Sequence, residues 1–173
     1  VDGTVSVMTK TGNDFTHTIN VPSGSTASIL YNVSLYDAAG NSNTTATTTI
    51  TVTDNDAPSY TWVSRPTTGN DGESVVVNIT GVDNIVVTAV NITVNGSVYE
   101  MTPSGTSYNY SFEIPSGSSA SILYNVSLYD AAGNTNITAT TTLAVSDNVT
   151  PSYAWVSQPS VGTTGESLIV NIT

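Results

Sequence analysis

Residues 114–134 read IPSGSSASILYNVSLYDAAGN, and residues 21–41 read VPSGSTASILYNVSLYDAAGN. The offset is 93 (114 − 21), and it runs without a gap from Val1/Val94 to Thr80/Thr173, with roughly three residues in five identical. Trp62/Trp155 and Tyr31/Tyr124 recur in register, so the match is a structural repeat and not shared low complexity. Working outward, Thr-rich stretches lead into TDNDAP and SDNVTP, which place boundaries at Asp54 and Asp147. The 173-residue chain then divides into the C-terminal part of one unit (1–53), a complete unit (54–146) and the N-terminal part of the next (147–173). A unit of that length is large enough to fold alone, near the small end of the range.

Within the complete unit, apolar and polar residues alternate with the period of a half-buried strand. Tyr60 and Trp62 point one way in the first run, Val75, Val77 and Ile79 in the second, Val90, Ile92 and Val94 in the third. Asn95-Gly96 predicts a two-residue type I′ hairpin turn into Val98–Met101. Tyr108, Tyr110, Phe112 and Ile114 make an aromatic strand, followed by Tyr124, Val126 and Leu128. Ile137, Ala139, Thr141, Leu143 and Val145 are expected to point inward in the last. No segment has a helical period. Seven short strands separated by turns predict an all-β fold: tandem β-sandwiches with the 93-residue repeat (114 − 21).

The order of motifs is more specific. An Asp-Asn-x-x-Pro linker is followed by Gly-Val-Asp-Asn (Gly81–Asn84), the Asn-Gly hairpin, Ile-Pro-Ser-Gly, and Tyr-x-Val-x-Leu-Tyr-Asp-Ala-Ala-Gly-Asn. Over the whole chain this resembles the bacterial and archaeal immunoglobulin-like tandem repeats of adhesins, surface-layer and filament proteins. The resemblance implies a sandwich fold and an extracellular or cell-surface location, but it carries function weakly because this fold hosts many roles.

Composition removes several function classes. Thirteen acidic residues against Lys10 and Arg65 give a net charge of −11. That balance opposes a phosphate backbone, so no nucleic-acid partner is expected. Only 9% of residues are charged, far below the usual quarter, so hydroxyls and amides must coat the surface. No apolar run approaches the length of a membrane span. There is no Cys to form a disulfide staple.

Asn-x-Ser/Thr triplets occur at Asn32, Asn43, Asn78, Asn91, Asn95, Asn109, Asn125, Asn136, Asn148 and Asn171. Chance would supply roughly half as many from this composition. Their phase is the more telling feature. Asn78, Asn91, Asn109, Asn125 and Asn136 alternate with inward apolar neighbours, so an outward position is expected for each. Only outward positions have room for a glycan. Covalent glycans are therefore expected on some of them, since polar, uncharged β-faces otherwise associate sideways.

A second constellation is acidic. In this fold the N-terminal linker, the second-to-third-strand loop and the last hairpin loop meet at one pole. Asp54 and Asp56, Asp83, and Asp130 are expected there, with Asn55, Asn84 and Asn134 offering carbonyl oxygens. Hard oxygen ligands from three loops are what calcium requires. Asp and Asn also favour turns for their own backbone hydrogen bonds, which is the plainer explanation. Calcium at this domain junction is the one cofactor entertained, and no other is expected.

No catalytic constellation emerges, and no enzymatic activity is expected. Asp71-Gly-Glu73 falls in a loop where the next unit has Thr164, which predicts a solvated turn and not an acid/base pair. His17 aligns with Tyr110 and is expected as a half-buried substitute in the aromatic strand. The expected role is structural: a repeat segment of an extracellular fibre, sheath or surface stalk, with copies of itself head to tail as partners. The alternative is an adhesin or carbohydrate-binding module using exposed Tyr36 or Tyr129. The two partial units are complementary, either through a covalently continued array or through strands lent between separate subunits.

Overall fold

A computed structural model describes all of residues 1–173. The chain is all-β, with no helix. Residues 1–53 carry six three-residue strands: β1 (Thr9–Thr11), β2 (Asp14–Thr16), β3 (Ile29–Tyr31), β4 (Ser34–Tyr36), β5 (Ser42–Thr44) and β6 (Thr48–Ile50). They pair only in twos, β1 with β2, β3 with β6 and β4 with β5. Ile29 and Val52 are the buried side chains of this segment.

The central segment is a β-sandwich. Its strands are β7 (Ser59–Ser64), β8 (Thr68–Asn70), β9 (Ser74–Val82), β10 (Val87–Val94), β11 (Ser97–Glu100), β12 (Thr102–Ser104), β13 (Ser107–Glu113), β14 (Ile122–Asp130), β15 (Thr135–Ile137) and β16 (Thr141–Ser146). One sheet runs β12-β13-β9-β7; the other runs β11-β10-β14-β16-β8, with β15 also on β14. Pro66 lies where the chain leaves β7 for β8 and changes sheet, a place where a residue without N–H costs no ladder bond. The 12 core residues come from both inner faces, Val75, Val77 and Ile79 opposing Val90, Ile92, Tyr124, Val126 and Leu128. Trp62 packs edge-on against Tyr124 at 6.4 Å, and the Tyr124 hydroxyl donates to the Pro66 carbonyl at 2.8 Å.

Residues 147–173 form β17 (Trp155–Ser157) and β18 (Asn171–Ile172), paired antiparallel. None of their side chains is buried. Each pairing formed inside 1–53 or 147–173 reproduces the central unit at the repeat offset. Trp155↔Ile172 copies Trp62↔Ile79, Ile29↔Ile50 copies Ile122↔Leu143, and Leu35↔Asn43 copies Leu128↔Asn136.

Burial nevertheless differs sharply between equivalent positions. Leu128 is 0% exposed and Leu35 is 50%; Val77 is 0% and Val170 is 68%. The difference is the facing sheet. His17, expected half-buried, is exposed for the same reason: its equivalent Tyr110 stacks on Tyr99 at 5.1 Å, and no such neighbour faces His17.

The alternation expected around Ile137 also differs. Ile137 faces out and is 59% exposed, while Asn136 lies opposite buried Leu128 and donates from Nδ2 to the Pro58 carbonyl at 2.8 Å. Thr138 accounts for the change of phase. Its N–H bonds the Val126 carbonyl and its hydroxyl accepts the Val126 N–H at 2.9 Å, so a side chain takes a ladder position and ends β15.

Candidate functional site

The loop pole assembles much as the sequence predicts. Asp54, Asp83 and Asp130 bring one carboxylate oxygen each within 4.8 Å of one another. Asp130, at the end of β14, is 4% exposed; Asp54 and Asp83 are half-buried. Asp56 stands outside this group, its Oδ2 accepting from Asn84 Nδ2 at 3.1 Å. Neither basic side chain is near. Lys10 lies over the Phe15 ring and Arg65 over Trp62.

Hydrogen bonds explain how three carboxylates share this space. Asn134 donates its N–H to Asp130 Oδ1 and its Nδ2 to Asp130 Oδ2, both at 2.7 Å. Burial alone would raise the Asp130 carboxyl, but these bonds and the amides of Gly133 and Ala132 outweigh it and hold the group below its ordinary value of 3.8. Asp83 Oδ2 accepts the N–H groups of Ile85 and Val86 at 2.8 and 3.0 Å. Asp83 Oδ1 is buried with no partner. Asp54 Oδ1 accepts from Asn84 Nδ2 at 3.1 Å. Asn84 and Asn134 therefore act here through their N–H groups.

The Asp-Ala-Ala-Gly-Asn loop is locally encoded. In residues 37–41, exposed and with no facing sheet, Asn41 makes the same two bonds to Asp37, at 2.8 and 2.7 Å. The Asp37 carboxyl is likewise lowered, chiefly by the Asn41 side chain. Only in the central unit does this loop reach further: Asn134 Nδ2 also contacts the carbonyls of Asp54 and Asp56, at 3.3 and 3.1 Å. The loop thus clasps its own N-terminal linker. Next to it, Gly24 of the preceding segment adopts φ +77 with its Cβ position only 2.9 Å from the Asn84 carbonyl oxygen. A cleft of about 240 Å³ lies between residues 21–25 and this pole.

The acceptor asparagines fall into two groups. Asn78, Asn91 and Asn125 alternate with buried neighbours and face outward, and Asn109 lies on the aromatic strand with the same phase. Asn32, Asn43, Asn95, Asn148 and Asn171 are exposed. Asn136 is turned to Pro58 as described, and Asn78, although outward in phase, has its Oδ1 buried without a partner.

Asp71 departs from the solvated turn expected of Asp71-Gly-Glu73. It is 8% exposed, not solvated, and its Oδ2 accepts the Gly117 N–H at 2.9 Å while Oδ1 accepts that of Asn148 at 3.4 Å. It ties the β8–β9 turn to two other loops. The single-residue change to Thr164 in the next unit hid this role.

No protein-family model and no curated protein matches the chain. Among solved structures it is similar to the fibronectin(III)-like modules of CbhA from Clostridium thermocellum, at 15% identity and TM-score 0.47, over 70% of this chain and 64% of that one. It is similar to the SrpA adhesin from Streptococcus sanguinis, at 16% identity and TM-score 0.44, over 56% and 61%. It is also similar to SGBP-B of a mixed-linkage glucan utilization locus from Bacteroides ovatus, crystallised with a mixed-linkage heptasaccharide, at 17% identity and TM-score 0.30, over 92% and 40%. The chain spans less than two thirds of each of these structures.

Proposed function

We propose that this chain is a structural repeat segment of an extracellular fibre, sheath or surface stalk, N-glycosylated on its outer faces and assembled head to tail. The role is mechanical, not catalytic. The observation that carries the reading is the outward phase of Asn78, Asn91 and Asn125, each set between two apolar neighbours that point inward, on a surface almost without charge. A polar, uncharged β-face needs a bulky coat to prevent sideways pairing, and acceptor triplets on that face supply one. Each repeat adds roughly 30–40 Å of length, from strands at about 3.3 Å per residue plus loops. Glycopeptide mapping of the native protein tests this. Sugar on Asn78/Asn171 and Asn32/Asn125 supports it; bare asparagine at both pairs overturns it.

The same reading gives the loop pole a calcium ion that stiffens the joint between units. Asp54, Asp83 and Asp130 would hold it with hard oxygen donors, and the buried Asp83 Oδ1 that lacks a donor supports the fit. Calcium is expected to raise the melting temperature of the chain, with Asp83→Asn abolishing the increase. A melting curve unmoved by calcium or by chelator leaves the carboxylates as braces of their own turns.

A further inference from the structure

Three acceptor triplets of the central unit lie in strands that are bonded on both sides. Asn78-Ile79-Thr80 sits in β9, between β13 and β7. Asn91-Ile92-Thr93 sits in β10, between β11 and β14. Asn125-Val126-Ser127 sits in β14, with β10 on one side and β16 and β15 on the other. The middle residue of each triplet, Ile79, Ile92 or Val126, is 0% exposed. Hydroxyl positions are engaged as well: Ser127 is buried, and Thr80 Oγ1 bonds Ser107 Oγ at 3.3 Å. Such a strand leaves room outside for a sugar already attached, but the triplet itself cannot be lifted into an enzyme. Lifting it breaks two ladders and withdraws a core side chain, and an opening of that size is global unfolding. Asn95-Gly96-Ser97 is different. All three residues are exposed at the β10–β11 turn, where Asn95 Oδ1 accepts the Leu123 N–H at 2.9 Å.

We propose that sugar reaches Asn78, Asn91 and Asn125 only in the unfolded chain, so that glycosyl transfer precedes folding of the sandwich, while Asn95 stays open to transfer afterwards. This rests on the glycan reading above and gives the coat its place in the order of maturation. The reaction class is transfer of an oligosaccharide from a lipid diphosphate to a side-chain amide. Asparagine Nδ2 attacks the anomeric carbon and the carbon–oxygen bond to phosphate breaks. The lipid diphosphate leaves with the electron pair, and Nδ2 gives up one proton. The unfolded fraction of a folded domain is about 10⁻³ or less, so folding slows transfer at these three sites at least about a thousandfold. A chain that folds bare therefore stays bare on both sheet faces. Asn136 is the converse case: sugar placed on its Nδ2 before folding would displace the Pro58 carbonyl that this atom must reach, so folded chains are depleted of it.

The test uses the full 173-residue chain made without glycans. An oligosaccharyltransferase and a lipid-diphosphate-linked oligosaccharide are added after synthesis. Ile114→Asp with Leu143→Asp puts two carboxylates in place of fully buried side chains, unfolding the sandwich while leaving every acceptor triplet unchanged. Glycopeptide time courses are expected to show Asn95 modified at similar rates in the parent and in this variant. Asn78, Asn91 and Asn125 should react at least about a thousandfold more slowly in the parent. The parent chain offered to the same enzyme during its synthesis should behave like the variant. Comparable rates at these three sites in the folded parent and the variant overturn the proposal. Absence of sugar from all three in both unfolded forms also overturns it. Native protein bare at every asparagine, with the rate contrast intact, would sink only the glycan coat.

Discussion

Leu128 and Leu35 occupy the same string, YNVSLYDAAGN, and differ only in what faces them. Leu128→Ala deletes fully buried methyl groups and should destabilise the chain by about 2–5 kcal/mol in denaturant unfolding. Leu35→Ala in dilute chain should stay within about 0.5 kcal/mol of the parent. Equal effects would mean that local sequence, not the facing sheet, sets burial. Asp130 gives a pH prediction. Its folded carboxyl lies below 3.8, so the ionised form favours the native state. That stabilisation is complete above the unfolded value and is lost as pH falls through it toward the lower folded value. Acid titration of stability should show this loss below about pH 4, and Asp130→Asn should flatten the slope there. The same residue scale separates two acceptors of equal motif. Asn43 is exposed whereas Asn136 is bonded to Pro58, so glycopeptides should show Asn43 occupied well above Asn136.

At the scale of elements, the sequence was legible wherever one local rule decided the outcome. Asn95-Gly96 predicted a type I′ turn, and both residues do take positive φ, 47° and 85°, between β10 and β11. Gly96→Ala forces a Cβ into that region and should cost about 1–2 kcal/mol by thermal unfolding; an unchanged midpoint would contradict the turn assignment. The alternation in β9, β10 and β14 was equally plain around Asn78, Asn91 and Asn125, whose neighbours on both sides are buried. Reading failed where a side chain replaced a backbone partner. The Thr138 hydroxyl takes the bond of a ladder carbonyl and shifts the phase of Ile137, and no period can announce that. It failed again at Asp71, whose partners Gly117 and Asn148 are distant in sequence. Asp71→Ala would remove the bond that ties the exposed Gly117 amide to the β8–β9 turn and should cost about 1 kcal/mol in denaturant unfolding.

At the scale of the molecule, one sandwich holds almost the whole core, and its flanks display copies of its strands in correct local register but without cover. Every level of the chain, from turn residues to repeat length, agrees on the unit. The repeat was visible in the sequence because strand phase and loop chemistry recur together at the same offset. The pole of Asp54, Asp83 and Asp130 was visible because the sandwich topology brings those three loops to one end. The roles of Asn84 and Asn134 were not, since donor and acceptor uses of an amide look alike in sequence. The central claim is a glycan-coated fibre of in-line units, and electron cryomicroscopy of the native assembly tests it most directly. The account predicts an extended filament of sandwiches end to end, with branched density leaving Asn78/Asn171 and Asn32/Asn125. Separate globular particles with unmodified asparagine side chains would contradict it.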